Sequence, residues 1–453
     1  MKYLTPQIIA EVTGGTYVGE ESSRNIQVQG AERDNRDVKP GNLFVCIRGA
    51  RVDGHSFAGA AFEAGAACCL AEEAIADAKG PYVIVESTLL SIRRLAEYYR
   101  SLFDIPFVGL TGSVGKTTCK ELVAATLGAK LKVLKTPGNL NNDIGVPLTL
   151  LAIDETHEAA VVEMGISDFG DMSILAQMVR PDIFVMTKIG YAHLDMLGDL
   201  NGVLKAKTEA FDYMKPGSLA VMNGDDDLLR TFDTRRKTIT FGLDEGNDFR
   251  TVNVRVEGTE AVLFDVLSDS GELSLSIPSY GSHLAQLASA AVAVGRVFGL
   301  TDEEIRRGLA SYSPIDGRSN AADTGNIMLI DDCYNANPTS VKAGLASLSA
   351  LKGRRIALLG DMLDLGEGSD DLHREVGIFA AERGIDVLIC CGEKAAFIYE
   401  SFKSACDEEA VYFKSKPELV AALPELIQKG DTVLVKASLG MQFAELLPTL
   451  RKI

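Results

Sequence analysis

Residues 106–118 read PFVGLTGSVGKTT, and how this stretch is read decides the fold. Phe107, Val108 and Leu110 predict the end of a buried strand, and Cys119 to Leu127 continue as a helix. Between them Gly112 and Gly115 let the backbone bend tightly. Successive N–H groups of Thr111, Gly112, Ser113, Val114 and Gly115, on into Lys116, Thr117 and Thr118, can then face phosphate oxygens. The next helix adds the positive end of its dipole. Lys116 is placed to reach the terminal phosphates of a nucleotide, and the Thr117 hydroxyl to ligate Mg²⁺. The strict G-x-x-x-x-G-K-[ST] pattern wants glycine at 110, where the chain has Leu110. What remains is T-G-x-x-G-K-T-T, and a merely structural glycine turn is the competing reading.

Working outward, the 453 residues predict about three domains. The composition, 46% hydrophobic and 24% charged, is that of a globular protein with real cores. Net charge is −18 with no basic tract, which argues against a nucleic-acid partner and against an anionic membrane surface. The eight cysteines are scattered without a C-x-x-C pair, the pattern of reduced thiols used as small hydrophobes. The opening MKYLTPQIIAEVTGG lacks a long apolar core, so no signal peptide is expected, and no run is long enough to span a membrane. The expectation is a cytoplasmic protein.

The elements read as α/β throughout. Residues 1–104 alternate short strands and helices, with polar clusters at DNRDVKPGN (34–42) and RGARVDGH (48–55) beside strands. Solvated turns explain those clusters as well as ligand loops do. Residues 105–312 predict a mainly parallel sheet around the phosphate loop, ending in an antiparallel meander over 250–279 and a helix over 282–298. Residues 313–453 begin at the turn SPIDGR and predict a third α/β unit. Ligands in such sheets sit at the carboxyl ends of the strands.

Several residues follow at strand ends. Glu163 closes AAVVEM, where a carboxylate either holds Mg²⁺ or points to solvent. His193 lies in a glycine-flanked loop, as a ligand or a hydrogen-bonded structural residue. Lys207 is on a helix where a solvated charge is the ordinary outcome. Desolvated beside a metal, its amine instead reacts with CO₂, and the carbamate supplies an anionic oxygen ligand suited to Mg²⁺. In DDCYNANPTS (331–340), Asp332, Asn335 and Asn337 gather at a strand mouth. GDMLDLGE (360–367) with His373 is a similar loop. Arg318 stands just past the domain seam, with the planar donor fork that suits a transferring phosphoryl group.

Together TGSVGKTT, GNLNNDIGVP (138–147), VVEMGIS (161–167), AHLDMLG (192–198), KAKTEAF (205–211) and DDCYNANPTS resemble the Mur ligases, over nearly the whole chain. YNANP and GDM-x-x-LG point to the branch that joins D-Ala-D-Ala to UDP-MurNAc-tripeptide. The resemblance implies three domains: a UDP-sugar-binding domain (1–104), a central phosphate-loop ATPase (105–312) and a Rossmann-like C-terminal ligase domain (313–453). It implies ATP and Mg²⁺ as cofactors, small-molecule partners only, and a monomer. Carried over residue by residue, Lys116 holds the β- and γ-phosphates, with Asn142 on the phosphate side. Thr117, Glu163, His193 and a carbamylated Lys207 serve the metal. Lys116, Lys207, His193 and Arg318 form the catalytic set, with Asp332 and Arg318 facing the nucleotide. Asn335 and Asn337 stand near the incoming dipeptide. Asp34, Asn35, Arg36, Arg48, Gly49, Asp53, Gly54 and His55 hold the uridine diphosphate.

The pattern is broken in places. The family's G-x-H-N-x-x-N appears as GSHLAQL, with Leu284 and Leu287 where two adenine-side Asn are usual. K-G-S-R reads KASL (436–439), and Asn35 replaces a Ser or Thr. A Mur-type ligase with a different acceptor, or a non-catalytic nucleotide-binding paralogue, therefore competes with the leading reading.

Overall fold

The computed structural model describes residues 3–49 and 52–453. Three sheets follow one another along the chain. The first has five strands in the spatial order Thr16–Val18, Tyr82–Ile84, Cys68–Ala71, Asn42–Val45 and Gly30–Glu32, parallel except for the first. Helix Pro6–Thr13 starts at Thr5, whose hydroxyl accepts from the Ile8 amide, and stops at Gly14 in the left-handed region. Helix Thr88–Ser101 leaves this unit and packs on the central one. Its Tyr99 hydroxyl donates to the Ile153 carbonyl at 2.9 Å, and Arg93 pairs with Asp143. One apolar core runs unbroken from Leu4 and Ile9 through Tyr99 to Phe184 and Ala220, so the first two units share a hydrophobic interior.

The central sheet has nine strands. Val133–Lys135, Ala159–Glu163, Phe107–Thr111, Ile183–Met186, Leu219–Asn223 and Lys237–Gly242 lie side by side and parallel. The expected meander follows as Phe249–Glu257, Ala261–Ser268 and Gly271–Ile277, with the last two pairings antiparallel. Its alternating burial reflects a sheet with one dry face. Helix Lys116–Gly128 lies against helix His283–Val297 on one side of the sheet.

The third sheet runs Asn320–Asp323, Met328–Asp331, Thr432–Lys436, Arg355–Gly360, Val387–Cys391 and Glu409–Phe413, parallel except for its first strand.

Some elements were not anticipated. Helix Asp302–Ala310 carries a full capping box, with Thr301 bonded to the Glu304 amide and Glu304 returning the bond. Its T-x-x-E signal stood in the sequence. Helix Gly145–Leu151 occupies the end of what reads as an Asn/Gly loop. The three-residue strands at 16–18 and 30–32 and the antiparallel strand at 320–323 are too short for a periodic signal. All eight cysteines are free thiols, seven of them buried. Among the described residues no helix is long and apolar enough to cross a membrane.

Candidate active site

Register builds the site. Leu110 pairs with Glu163 on one side of the strand, and Thr111 with Met186 on the other. The ends of three neighbouring parallel strands therefore deliver the phosphate loop, Glu163 and the segment leading to His193 to one place. In the third sheet Asp331 pairs with Val435, which sets Asp332 beside Lys436. The two sets of strand ends meet across a cavity of about 360 Å³ between the second and third units. Ser113, Val114, Gly115, Lys116, Thr118, Asn142 and His193 line it from one side, and Arg318, Asp332, Asn335 and Asn337 from the other.

The loop conformation explains its glycines. Gly115 has φ +82°, and a Cβ on Gly112 would lie 2.0 Å from Thr187 Oγ1. Ser113 Oγ donates to the Gly190 carbonyl and accepts from its amide, both at 2.9 Å, tying the loop to the His193 segment. Thr111 is fully buried and donates to the Met164 carbonyl, a structural tie. Lys116 folds back so that Nζ donates to the Gly112 carbonyl at 2.7 Å. Burial lowers its pKa. Arg318 pushes the same way, and Glu163 opposes.

Beneath the loop, Glu163 Oε1 accepts from Thr117 Oγ1 at 3.1 Å and from Asn141 Nδ2 at 2.7 Å. Its Oε2 is buried without a hydrogen-bond partner. A buried carboxylate with an oxygen that accepts no hydrogen bond, beside a hydroxyl, suits a small hard cation, so Thr117 and Glu163 fit Mg²⁺ even with Lys120 Nζ 3.7 Å from that oxygen. His193 adopts φ +53° at the start of helix Leu194–Leu197. Burial lowers its pKa, helped by the charges of Lys207 and Lys116. Lys207, on helix Leu200–Thr208, is 2% exposed. Its pKa falls well below the usual lysine value through burial and then the charge of Lys116.

Across the cavity, the Arg318 guanidinium lies over the Tyr334 ring, 4.0 Å from its centroid. Asp332 pairs with Lys436 at 2.6 Å and accepts from the Ser319 amide at 3.1 Å. Asn335 accepts from the next amide, Ala336. Asn337 caps helix Pro338–Ser349 reciprocally with Ser340. His193 and the GDMLDLGE loop are neighbours, because the Leu194 amide donates to the Asp364 carbonyl at 3.0 Å. His373 braces that loop from within, with Nε2 accepting from the Met362 amide and Nδ1 donating to the Ser369 carbonyl.

The residues assigned to the uridine diphosphate are outside this cavity. Arg36 makes a two-pronged contact with Asp34 at 2.9 and 2.5 Å, holding the Asp34 carboxyl well below its usual range, and Asn35 lies between them. Arg48 reaches Glu72, Glu73 and Asp53. His55 is used at both ring nitrogens, by Asp53 and by the Glu72 amide, and Gly54 packs closely on Ile47. Of the 48–55 loop, Ala50 and Arg51 lie outside the described residues.

Asn142, which the resemblance sets on the phosphate side, lines the cavity, and its carboxamide oxygen accepts from the Ile144 and Gly145 amides where helix 145–151 begins. Its neighbour Asn141 is the residue on Glu163. Lys436, Tyr334 and His283 also line the cavity and were not singled out. Leu287 packs beside Gly115, and Leu284 is buried in the core.

Family models match the chain over residues 27–102 (Mur ligase family, catalytic domain), 110–295 (Mur ligase middle domain) and 317–439 (Mur ligase, glutamate ligase domain). The chain is 34% identical to the UDP-N-acetylmuramoyl-tripeptide–D-alanyl-D-alanine ligase of Bacillus subtilis, over 98% of each chain. It is also 34% identical to that of Escherichia coli, over 96% of each. A crystal structure of MurF from Acinetobacter baumannii superposes with TM-score 0.89 at 29% identity, covering 99% of both chains. The MurF ligase of Thermotoga maritima in complex with ADP gives 0.81 at 30% identity, over 94% of this chain and 97% of that one.

Proposed function

The chain belongs to the Mur ligase family, and from that premise we propose that it joins D-alanyl-D-alanine to the tripeptide carboxylate of UDP-MurNAc-tripeptide at the expense of ATP. The observation that carries this is the single cavity into which the phosphate loop and the DDCYNANP loop both open. A ligase of this kind needs a nucleotide held on one wall and an acceptor brought to the other.

A free carboxylate is a poor electrophile. Transfer of the γ-phosphoryl group to its oxygen, with ADP leaving, makes an acyl phosphate with a good leaving group. The dipeptide amine then attacks the carbonyl, and the tetrahedral adduct loses phosphate. Little of this asks for covalent chemistry by the protein, so the side chains act by position and charge. The loop amides and Lys116 hold the phosphates in line. Arg318, steadied on Tyr334, offsets charge on the transferring group from the opposite wall. Asp332 and Lys436, paired, orient the nucleotide side of that wall. Thr117 and Glu163, with His193 and carbamylated Lys207, would hold Mg²⁺, which when bound would neutralise phosphate charge. Asn335 borders the dipeptide space. Asp34, Asn35, Arg36 and the 48–55 loop hold the uridine diphosphate on the first unit. We place the protein in the cytoplasm as a monomer, a reading supported by its free, mostly buried thiols and by a site built from one chain.

The test is phosphate release by the purified protein with ATP, Mg²⁺, UDP-MurNAc-tripeptide and D-Ala-D-Ala, each omitted in turn. Release that needs all four, with a pentapeptide nucleotide as product, supports the reading. ATP binding with no release from the complete mixture overturns it.

A further inference from the structure

Lys120 is one helical turn beyond Lys116, on a helix where a lysine ordinarily reaches solvent. It is instead wholly buried, with 0% exposure. An ammonium taken out of water is costly unless its donors are met, so its surroundings have to supply partners. Nζ donates to the carbonyls of Thr136 at 2.8 Å and Gly138 at 2.9 Å. Two carboxylates complete its shell, Glu121 Oε1 at 3.2 Å and Glu163 Oε2 at 3.7 Å.

Three of those contacts, at Thr136, Gly138 and Glu163, converge on the Glu163 carboxylate. Oε2 is the oxygen of Glu163 that has no hydrogen bond. Thr136, held by its carbonyl, also accepts the Glu163 amide at its own hydroxyl, at 2.9 Å. Gly138 opens the segment that brings the Asn141 carboxamide onto Glu163 Oε1. The buried ammonium thus fixes the carboxylate from behind and pins the start of the loop that fixes it from the side. It lies at Thr136 and Gly138 rather than among the residues lining the cavity, so it acts through Glu163.

We propose that Lys120 is a positioning residue, which holds Glu163 and the 136–141 segment in the arrangement that receives a divalent cation beside the nucleotide phosphates. The inference rests on the proposed ligase reading and adds a residue to it. Anchoring at two carbonyls removes the freedom that Glu163 would otherwise have to lose on binding the ion.

Lys120→Met keeps the stem and removes the ammonium, and Lys120→Gln keeps a neutral donor. Binding of ADP without metal, and of Mn²⁺ in the presence of ADP followed by electron paramagnetic resonance, separates the roles. Expected is ADP affinity without metal within twofold of the parent, with Mn²⁺ affinity lowered at least tenfold, in either variant that folds. Unchanged Mn²⁺ affinity overturns the proposal. Equal weakening of metal-free ADP binding does so too, as does failure of both variants to fold, since each marks Lys120 as a general support. If the parent protein itself binds no Mn²⁺ with ADP, the ligase reading fails first, and phosphate release shows that separately.

Discussion

The Arg318 guanidinium rests on the Tyr334 ring at 4.0 Å, and the backbone is arranged to keep it there. The Tyr334 amide donates to the Gly317 carbonyl at 3.0 Å, while Asp331 Oδ2 accepts from the Gly317 amide at 2.9 Å. A cation–π contact of this kind is worth roughly 0.5–2 kcal/mol. Tyr334→Phe keeps the ring and should leave kcat within about twofold of the parent, whereas Tyr334→Ala should lower it about tenfold, as the loss of such a contact allows. Steady-state phosphate release measures both. A Phe variant as poor as the Ala variant would show that the hydroxyl, not the ring, is what matters.

The phosphate loop gives a sharper test. Lys116→Ala removes the only side-chain ammonium that the loop itself carries. Product formation should fall roughly a hundredfold or more, by analogy with removing a charge-stabilising donor. Gly112→Ala should be as damaging for another reason, because its Cβ meets Thr187 Oγ1 at 2.0 Å. Full activity in the lysine variant would remove the loop from the reaction.

The phosphate-loop expectations follow from residues that the sequence already exposed, and the reason is physical. The phosphate loop, Glu163, His193 and Asp332 all stand at the ends of strands whose apolar runs are plain, so one-dimensional order reports three-dimensional position. Asn141 and Asn142 show where that stops. Adjacent residues in a loop have equal chemistry in the sequence, and only backbone direction decides that one meets Glu163 and the other caps a helix. Lys120 shows a second limit, because a lysine in a helix carries no mark of burial. Helix 302–310 is a different case. Its T-x-x-E cap stands in the sequence, a few residues after helix His283–Val297 ends.

Acid should weaken the fold through its buried imidazoles. His193, His283 and His373 all have pKa values lowered from 6.5, in each case first by burial. The unfolded chain takes up protons at these sites that the folded chain does not bind, so stability falls as pH drops below 6.5 towards the folded values. Above 6.5 all three are neutral in both states and the effect vanishes. His373→Gln keeps a group able to accept from the Met362 amide and removes one of the three titrations. Urea midpoints at pH 7.5 and 5.5 should differ less in this variant than in the parent, and an equal difference would rule His373 out as a contributor.

Lys207 presents the strongest electrostatic conflict. It is 2% exposed and its side chain makes no hydrogen bond or ion pair among the described residues, while Lys116 opposes its charge. Both effects favour the neutral amine, which is the form that attacks CO₂. A carbamate formed there would be an anion beside the charge of Lys116, so the charge that disfavours an ammonium would favour the adduct against the cost of burying an anion. Lys207→Ala should lower turnover by roughly a hundredfold or more, as loss of an electrostatic group in a dry site does. Acetate or formate should recover part of it by replacing the missing oxygens. The parent, freed of CO₂ and bicarbonate, should lose activity and regain it when bicarbonate is added. Near-normal turnover of the unrescued variant would mean that the buried amine has no part in the reaction.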